Sequence, residues 1–296
     1  MIASIRKKKS KSAFDYMVYL LMLIVMLLSI APMLHTLSVS LSAQAKAEAG
    51  LVSIFPRDIT FQSYVSIFKD AAFFKAAWVS VERVVYTTAG SFLVTLLLAF
   101  PLSRDTRQFP LRNPFMWLLI FCMLFSGGLV PFYMIVNDLG LFDKMAALVL
   151  PGIVNVYNTI LVINFFRSIP RELEESAGID GANPWQMLFH IFLPLSMPVL
   201  ATVSLFTIVG TWNEYLNGLL FIRDPGMMPL QTYLQSIFIQ IDPSRMTSQE
   251  IIEASLVSNK TLNAAKIILS LVPIIAIYPF LQRYFIHGIM MGSVKE

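Results

Sequence analysis

Apolar residues dominate six stretches of the chain. Each matches the ~20 residues that an α-helix needs to cross the hydrocarbon of a bilayer. They run over roughly 15–37, 80–102, 115–136, 146–166, 198–221 and 264–285. Between them lie a long loop at 38–79, short loops at 103–114 and 137–145, and longer ones at 167–197 and 222–263. The pattern predicts an all-α membrane protein with six transmembrane helices in one domain over 15–285. A basic tail at 1–14 precedes it and a tail at 286–296 follows. No internal repeat or low-complexity tract breaks the pattern.

Polar residues inside these stretches are few and patterned. Thr87, Ser91 and Thr95 recur every four residues, which places them on one helical face. Such a face either glues helices together or lines a pathway, and the spacing leaves both open. Ser126-Gly127-Gly128 and Pro131 predict a loosened or kinked third span. Irregular backbone at that depth is tolerated only beside protein or a water-filled cavity. Asn155 and Asn158 in the fourth span, and Asn213 and Asn217 in the fifth, are each spaced for a shared face. Glu82 and Arg83, at the start of the second, are expected to snorkel to the interface. Glu214 is an acid inside a span and therefore a functional candidate; pairing with a neighbouring helix or a place near the interface is the other reading.

Composition agrees with a lipid-facing surface. Apolar residues make up 56% of the 296 and charged ones 14%, against about 25% charged in soluble domains, and the mean hydropathy is +0.69. A soluble globular protein could not cover itself with so few polar groups. Cys122, the single cysteine, lies in an apolar run and implies no disulfide framework. An isoelectric point near 9.1 could suggest nucleic acid. The basic residues are dispersed among apolar runs, however, as at a membrane surface. Arg6-Lys7-Lys8-Lys9-Ser10-Lys11 precedes the first apolar stretch, and Ala43-Gln44-Ala45 resembles a cleavage site. The apolar core, nearer twenty residues than the ~7–15 of a signal peptide, predicts a retained signal anchor instead. Lys and Arg mark cytoplasmic segments. The N-terminal cluster, Arg104, Arg107 and Arg112, then Arg167 and Arg171, and finally Arg283 and Lys295 all fall on one side, so both termini are expected in the cytoplasm.

The 167–197 loop is the most structured of the polar segments. Pro170 can open a helix, and Glu172, Glu174 and Glu175 suit the positive end of its dipole. Asp180-Gly181 should stop it, and Asn183-Pro184 should cap and start a second helix over 184–192 that runs into Leu193-Pro194. The expected product is a helix–turn–helix on the cytoplasmic face. Small Ser176, Ala177 and Gly178 would let it press into a cleft of another protein.

This stretch resembles the signature of binding-protein-dependent ABC importer permeases: Glu-Ala-Ala, three residues, Gly, nine residues, Ile-x-Leu-Pro. Glu175, Ala177, Gly181, Ile191, Leu193 and Pro194 fall at those positions, with Ser176 in place of the first Ala. The resemblance extends over most of the chain. It points to the sugar branch related to the smaller maltose permease subunit, through Pro101-Leu102-Ser103-Arg104, Trp212-Asn213-Glu214-Tyr215, Pro229-Leu230-Gln231 and the run from Gln282-Arg283-Tyr284-Phe285 through Gly288 to Gly292-Ser293-Val294-Lys295. Within that branch it is most similar to permeases for complex or acidic oligosaccharides, alginate importers among them.

The resemblance implies a type I ABC importer permease fold in the bacterial cytoplasmic (inner) membrane. It also implies four kinds of partner: two ABC ATPase subunits, a second homologous permease, an extracytoplasmic substrate-binding protein and the lipid bilayer. The 172–181 helix would then be the coupling helix, with Glu175, Ser176, Ala177, Gly178, Asp180 and Gly181 at the ATPase. Asn213, Glu214, Asn155 and Asn158 would line the substrate pathway, and Trp212 could stack on a sugar ring. Gln231, Tyr233 and Gln235 in the 222–263 loop would meet the binding protein. No Gly-x-x-x-x-Gly-Lys-Ser/Thr phosphate loop occurs, so ATP and Mg would be bound by the partners, with no cofactor in this chain. No nucleophile–base pair suggests an enzyme. His35, His190 and His287 lack metal-ligand spacing. The alternatives are an ABC permease for another small solute, or a secondary transporter. The latter commonly shows inverted repeats and an ion-coupling site, neither of which is visible.

Overall fold

The computed structural model describes residues 13–239 and 260–292, and every regular element among them is helical. The chain packs as two compact units, residues 1–69 with 243–269, and 70–242 with 270–296.

In the first unit, α1 (Ala13–Ser40) is apolar all round and leaves its long side chains from Phe14 to Leu28 exposed. A helix apolar on every face belongs in lipid or in a core, and the absence of burial along the most apolar 18 residues of α1 indicates lipid. The Ala43-Gln44-Ala45 triplet forms the turn into α2 (Gln44–Glu48), which is followed by α3 (Gln62–Phe68). Hydrogen bonds Ser40 Oγ–Tyr64 Oη (2.8 Å) and Ser63 Oγ to Thr261 Oγ1 (2.9 Å) hold this unit together.

The second unit is built on α4 (Ala71–Ser103), whose 33 residues make a rod of about 50 Å. It starts nine residues earlier than hydropathy suggests, because Asp70 caps it by accepting from the Ala72 and Phe73 amides. Buried Ala76, Ser80, Arg83, Thr87, Ser91, Thr95, Ala99 and Leu102 recur at helical spacing, so Thr87, Ser91 and Thr95 sit on a packing face. The packing is close: a Cβ on Gly152 would lie 2.8 Å from Thr87 Cγ2.

The expected third span is a pair, α5 (Arg112–Leu124) and α6 (Leu129–Asp138), bent by 114° at the Ser126-Gly127-Gly128 segment. Gly128, at φ +86°, makes the turn. The fourth span is also broken, into α7 (Met145–Ile153) and α8 (Val156–Ser168). Then come α9 (Arg171–Ile179) and α10 (Pro184–Leu195), which includes a π-helical turn at Met187–Phe192. A 79° bend leads into α11 (Met197–Asn213). The fifth span, expected to be continuous over 198–221, stops at Asn213 and resumes as α12 (Leu216–Phe221).

A 3-10 turn at Pro225–Met227 and α13 (Leu230–Ile239) occupy part of the expected 222–263 loop; its residues 240–259 lie outside the described residues. α14 (Lys260–Gly292) closes the described chain. Among the described residues, four segments are long and apolar enough to cross a membrane, namely α1, α4, α7 with α8, and α14, and up to six spans result when each bent pair counts as one. The main core gathers Leu96 and Leu102 of α4, Val162 and Phe166 of α8, Leu188 and Phe192 of α10, and Leu200 of α11.

Candidate functional site

Two places combine chemistry with defined geometry, one near each end of α4.

At the C-terminal end stands the 167–197 segment. Its helix α9 opens after Pro170 and closes in a Schellman motif. The Ala182 amide donates to the Ala177 carbonyl (2.9 Å) and the Gly181 amide to the Gly178 carbonyl (3.1 Å). Gly181 supplies the required left-handed residue at φ +79°. Asn183 and Gln186 then form a reciprocal capping box at 2.9 Å in both directions, which starts α10. No residue of α9 is buried. What holds the helix in place is charge: Glu174 pairs with Arg104 and accepts from Gln108 Nε2 (3.2 Å), and Arg171 pairs with Asp105 at 3.0 Å. The Arg104 guanidinium lies between the rings of Phe100 and Phe192, 4.2 and 4.3 Å from their centroids. Burial pulls its pKa below the usual arginine value and the Glu174 carboxylate pulls it back; arginine stays protonated throughout.

The expected coupling residues sit on this segment. Glu175, Ser176, Gly178, Asp180 and Gly181 are exposed, and Ala177 is half-buried. Ile179 is 88% exposed and Trp185 61%, so small and large apolar groups face outward together. The Arg104–Glu174 pair was not foreseen, because Glu174 has an adequate local reading as a first-turn acid.

In the N-terminal half of α4 the breaks of two helices meet. Arg83 donates from Nε to the Leu148 carbonyl (3.3 Å) and from Nη1 to the Glu214 carbonyl (2.9 Å), and its Nη2 pairs with the Glu214 carboxylate. Glu214 Oε1 in turn accepts from the Asn217 amide (2.8 Å), which caps α12. A helix break inside a membrane frees backbone groups that lipid cannot satisfy; a planar group with five donors can serve several acceptors at once. Arg83 is only 3% exposed and so does not snorkel. Of the two readings of Glu214, the pairing with another helix is the one the geometry realises. The pair still borders a cavity of about 200 Å³, shared with Thr87, Asn155, Thr207 and Asn217. Thr87 Oγ1 is buried there without a hydrogen-bond partner among the described residues.

The other pathway candidates separate. Asn155 borders this cavity, but as the cap of α8, accepting from the Asn158 amide (3.0 Å). Asn158 is buried and donates to the Val203 carbonyl (3.3 Å) and Thr207 Oγ1 (3.2 Å). The two therefore share no helical face. Asn213 and Asn217 do not either, since the helix ends between them. Asn213 is exposed and lies outside this cavity. Trp212 is buried and faces an apolar cavity beside Pro273 and Ile277, its Nε1 donating to the Ser270 carbonyl (3.1 Å). Gln231, Tyr233 and Gln235 lie half-buried on α13, and the Tyr233 hydroxyl donates to Asp70 Oδ2 at 3.1 Å. No cluster of potential metal ligands occurs among the described residues.

A chain of bent apolar spans with a capped, charge-tethered helix–turn–helix before the fifth has the architecture of an importer permease. It belongs to the binding-protein-dependent transport system inner membrane component family, whose model it matches over residues 89–291. It is 36% identical over 282 residues to the polygalacturonan/rhamnogalacturonan transport system permease protein of Bacillus subtilis strain 168, covering 95% of this chain and 98% of that one. It is 38% identical over 268 residues to protein LplC of the same organism, covering 90% of each. A crystal structure of a bacterial ABC transporter involved in the import of the acidic polysaccharide alginate contains a chain that superposes with a TM-score of 0.81 at 31% identity, over 93% of this chain and 99% of that chain. The protein is thus a transport permease subunit of the type I ABC fold and not an enzyme.

Proposed function

We propose that this chain forms half of the pathway of a bacterial oligosaccharide importer whose substrate is an acidic or otherwise complex polysaccharide fragment, with ATP and Mg bound by two separate ATPase subunits. The observation that carries the coupling role is the build of α9: a helix opened by Pro170, closed by a Schellman motif, unburied, and joined to the end of α4 through ion pairs. Such a unit can move as a rigid body when a partner's groove closes on it. Glu175, Ser176, Ala177, Gly178, Asp180 and Gly181 then meet the ATPase. The arginines of the 103–114 and 167–197 loops put this face in the cytoplasm, with both termini. The substrate class is supported by what the relatives are named for. Glu214 and Asn155 are the pathway residues we retain, because both border the cavity at the helix breaks. A second, homologous permease supplies the other half, and an extracytoplasmic binding protein delivers the sugar, with Gln231 and Gln235 on the facing surface.

The test is reconstitution of the whole importer. ATP hydrolysis should rise only when the binding protein and an acidic oligosaccharide are both present. In Gly181→Asp, hydrolysis should separate from transport while membrane insertion is retained. Wild-type transport by that variant would end the coupling assignment. Stimulation by amino acids or metal ions alone would end the sugar assignment.

A further inference from the structure

Two cavities of opposite character meet at the C-terminal end of α4. One, of about 490 Å³, is polar and carries Arg104, Arg112, Arg167 and Arg171. The other, of about 530 Å³, is apolar, with Leu97, Phe100, Pro101, Phe109 and Trp185 in its wall. Arg104 borders both.

The polar cavity is short of negative charge. Arg104 and Arg171 have carboxylate partners, Glu174 and Asp105. Among the described residues Arg112 and Arg167 form no ion pair. Both donate to the Leu102 carbonyl, at 3.3 Å from Arg112 Nε and 3.0 Å from Arg167 Nη2, and Arg112 Nη1 also donates to Asn113 Oδ1 (3.3 Å). Two guanidinium groups of like charge are thereby held side by side, and the remaining carboxylate of the wall is Glu175. In addition, Arg104 Nη2 is buried with no hydrogen-bond partner among the described residues, on a side chain only 10% exposed. A buried charged donor without an acceptor is costly, so a missing anion is the simplest completion of the cavity. Its depth is that of a head group: Ser103 and Ser168 are the last residues of membrane-spanning helices. Trp185, 61% exposed at the rim of the apolar cavity, is a residue type that favours this level.

We propose that the paired cavities bind one anionic membrane phospholipid. Its phosphate oxygens accept from the free N–H groups of Arg112, Arg167 and Arg104, and an acyl chain lies against Leu97 and Phe100. Arginine recognises phosphate through paired, charge-assisted hydrogen bonds, and basic pockets at span ends suit anionic head groups. The lipid would connect the end of α4 to the helix–turn–helix that follows α8.

A soluble phosphate has the same head-group chemistry, so the experiment separates the two sources. The full chain in neutral detergent is titrated with phosphatidylglycerol, with phosphatidylcholine and with inorganic phosphate. The thermal midpoint and the lipid retained in native mass spectra are both read. Phosphatidylglycerol at some ten times its dissociation constant should raise the midpoint by about 3 °C, and the other two should not. Arg112→Gln, which leaves the Leu102 carbonyl its bond from Arg167, should fold as wild type and lose most of the shift. Arg112→Lys should keep a measurable part of it. An equal shift with phosphatidylcholine, full retention in Arg112→Gln with Arg167→Gln, or saturation by inorganic phosphate alone would each overturn the proposal.

Discussion

The same ion pair, arginine with glutamate, serves near both ends of α4 and does different work at each. Arg83 is buried, and its hydrogen bonds go to groups of the fold itself: the Leu148 carbonyl within α7, and the carbonyl and carboxylate of Glu214 at the break after α11. Arg104 has one carboxylate, two aromatic rings and a nitrogen left over. The first pair completes a structure. The second joins α4 to a helix with no buried residue, which suits a joint that must transmit movement. Charge in a membrane protein is therefore read by what else the side chain satisfies, and the residue pair alone says little.

The largest expected effect tests the first half of this contrast. Removing one partner of a buried pair strands the other, at a cost of about 3–5 kcal/mol. Arg83→Ala or Glu214→Ala should accordingly lower the thermal midpoint strongly or abolish insertion. Replacing both by Met should cost less than either single change. If both single variants were as stable as wild type, Arg83 would be a surface arginine after all.

Next comes the helix that Glu214 caps. A Cβ on Gly218 would fall 2.0 Å from Thr232 Oγ1 and 2.9 Å from its Cβ, and Thr232 is fully buried. Gly218→Ala should cost about 1–3 kcal/mol as overpacking, and Thr232→Ala, which removes the clashing Oγ1, should recover part of it in the double variant. Equal midpoints for Gly218→Ala and wild type would show that α12 is loosely held at the break.

A smaller effect is expected at the other end. Arg104 keeps its contacts with the Phe100 and Phe192 rings when the carboxylate is removed, so Glu174→Ala should cost only about 1 kcal/mol. Its larger consequence should be on coupling, visible as ATP hydrolysis that no longer follows transport in the assembled importer. Exchanging the charges, Arg104→Glu with Glu174→Arg, should restore part of that link if the pair is the joint.

The smallest effect concerns Asp143, at φ +56°. Its carboxylate accepts from the Asp224 amide (3.0 Å) and the Arg223 amide. These two bonds hold its pKa below the usual aspartate value. A lowered pKa in the folded state means stabilisation present above the unfolded value of about 4 and lost as pH falls through the folded one. Protection of the Arg223 and Asp224 amides, taken relative to their intrinsic exchange rates, should therefore fall only at acid pH, and Asp143→Ala should remove that dependence.

Much of the fold is legible in the sequence because it depends on local rules. Span positions follow apolar run length, and the 167–197 segment follows caps: Pro170, Gly181, Asn183 and Pro184 each act within a few residues of themselves. The site in the membrane was read less well. Asn155 with Asn158, and Asn213 with Asn217, look like shared faces only if the helix is continuous, and both helices break. Arg83 looks like a snorkelling residue only if the span begins near residue 80, whereas Asp70 starts it earlier. Trp212 reads from the sequence as a neighbour of Glu214, whereas the fold buries it beside an apolar cavity lined by Pro273 and Ile277.

A signal for the Arg83–Glu214 pair was nonetheless present, since an arginine and a glutamate inside separate apolar spans each need a partner that lipid cannot supply. The sequence by itself determined the class of protein, the number of spans and the capped loop, all of which rest on periodicity, composition and neighbouring residues. Only the tertiary structure decided which charge meets which, and which arginines gather around one polar cavity at the end of α4. Those depend on helix breaks and on distances between residues as far apart as 83 and 214, which no local rule contains.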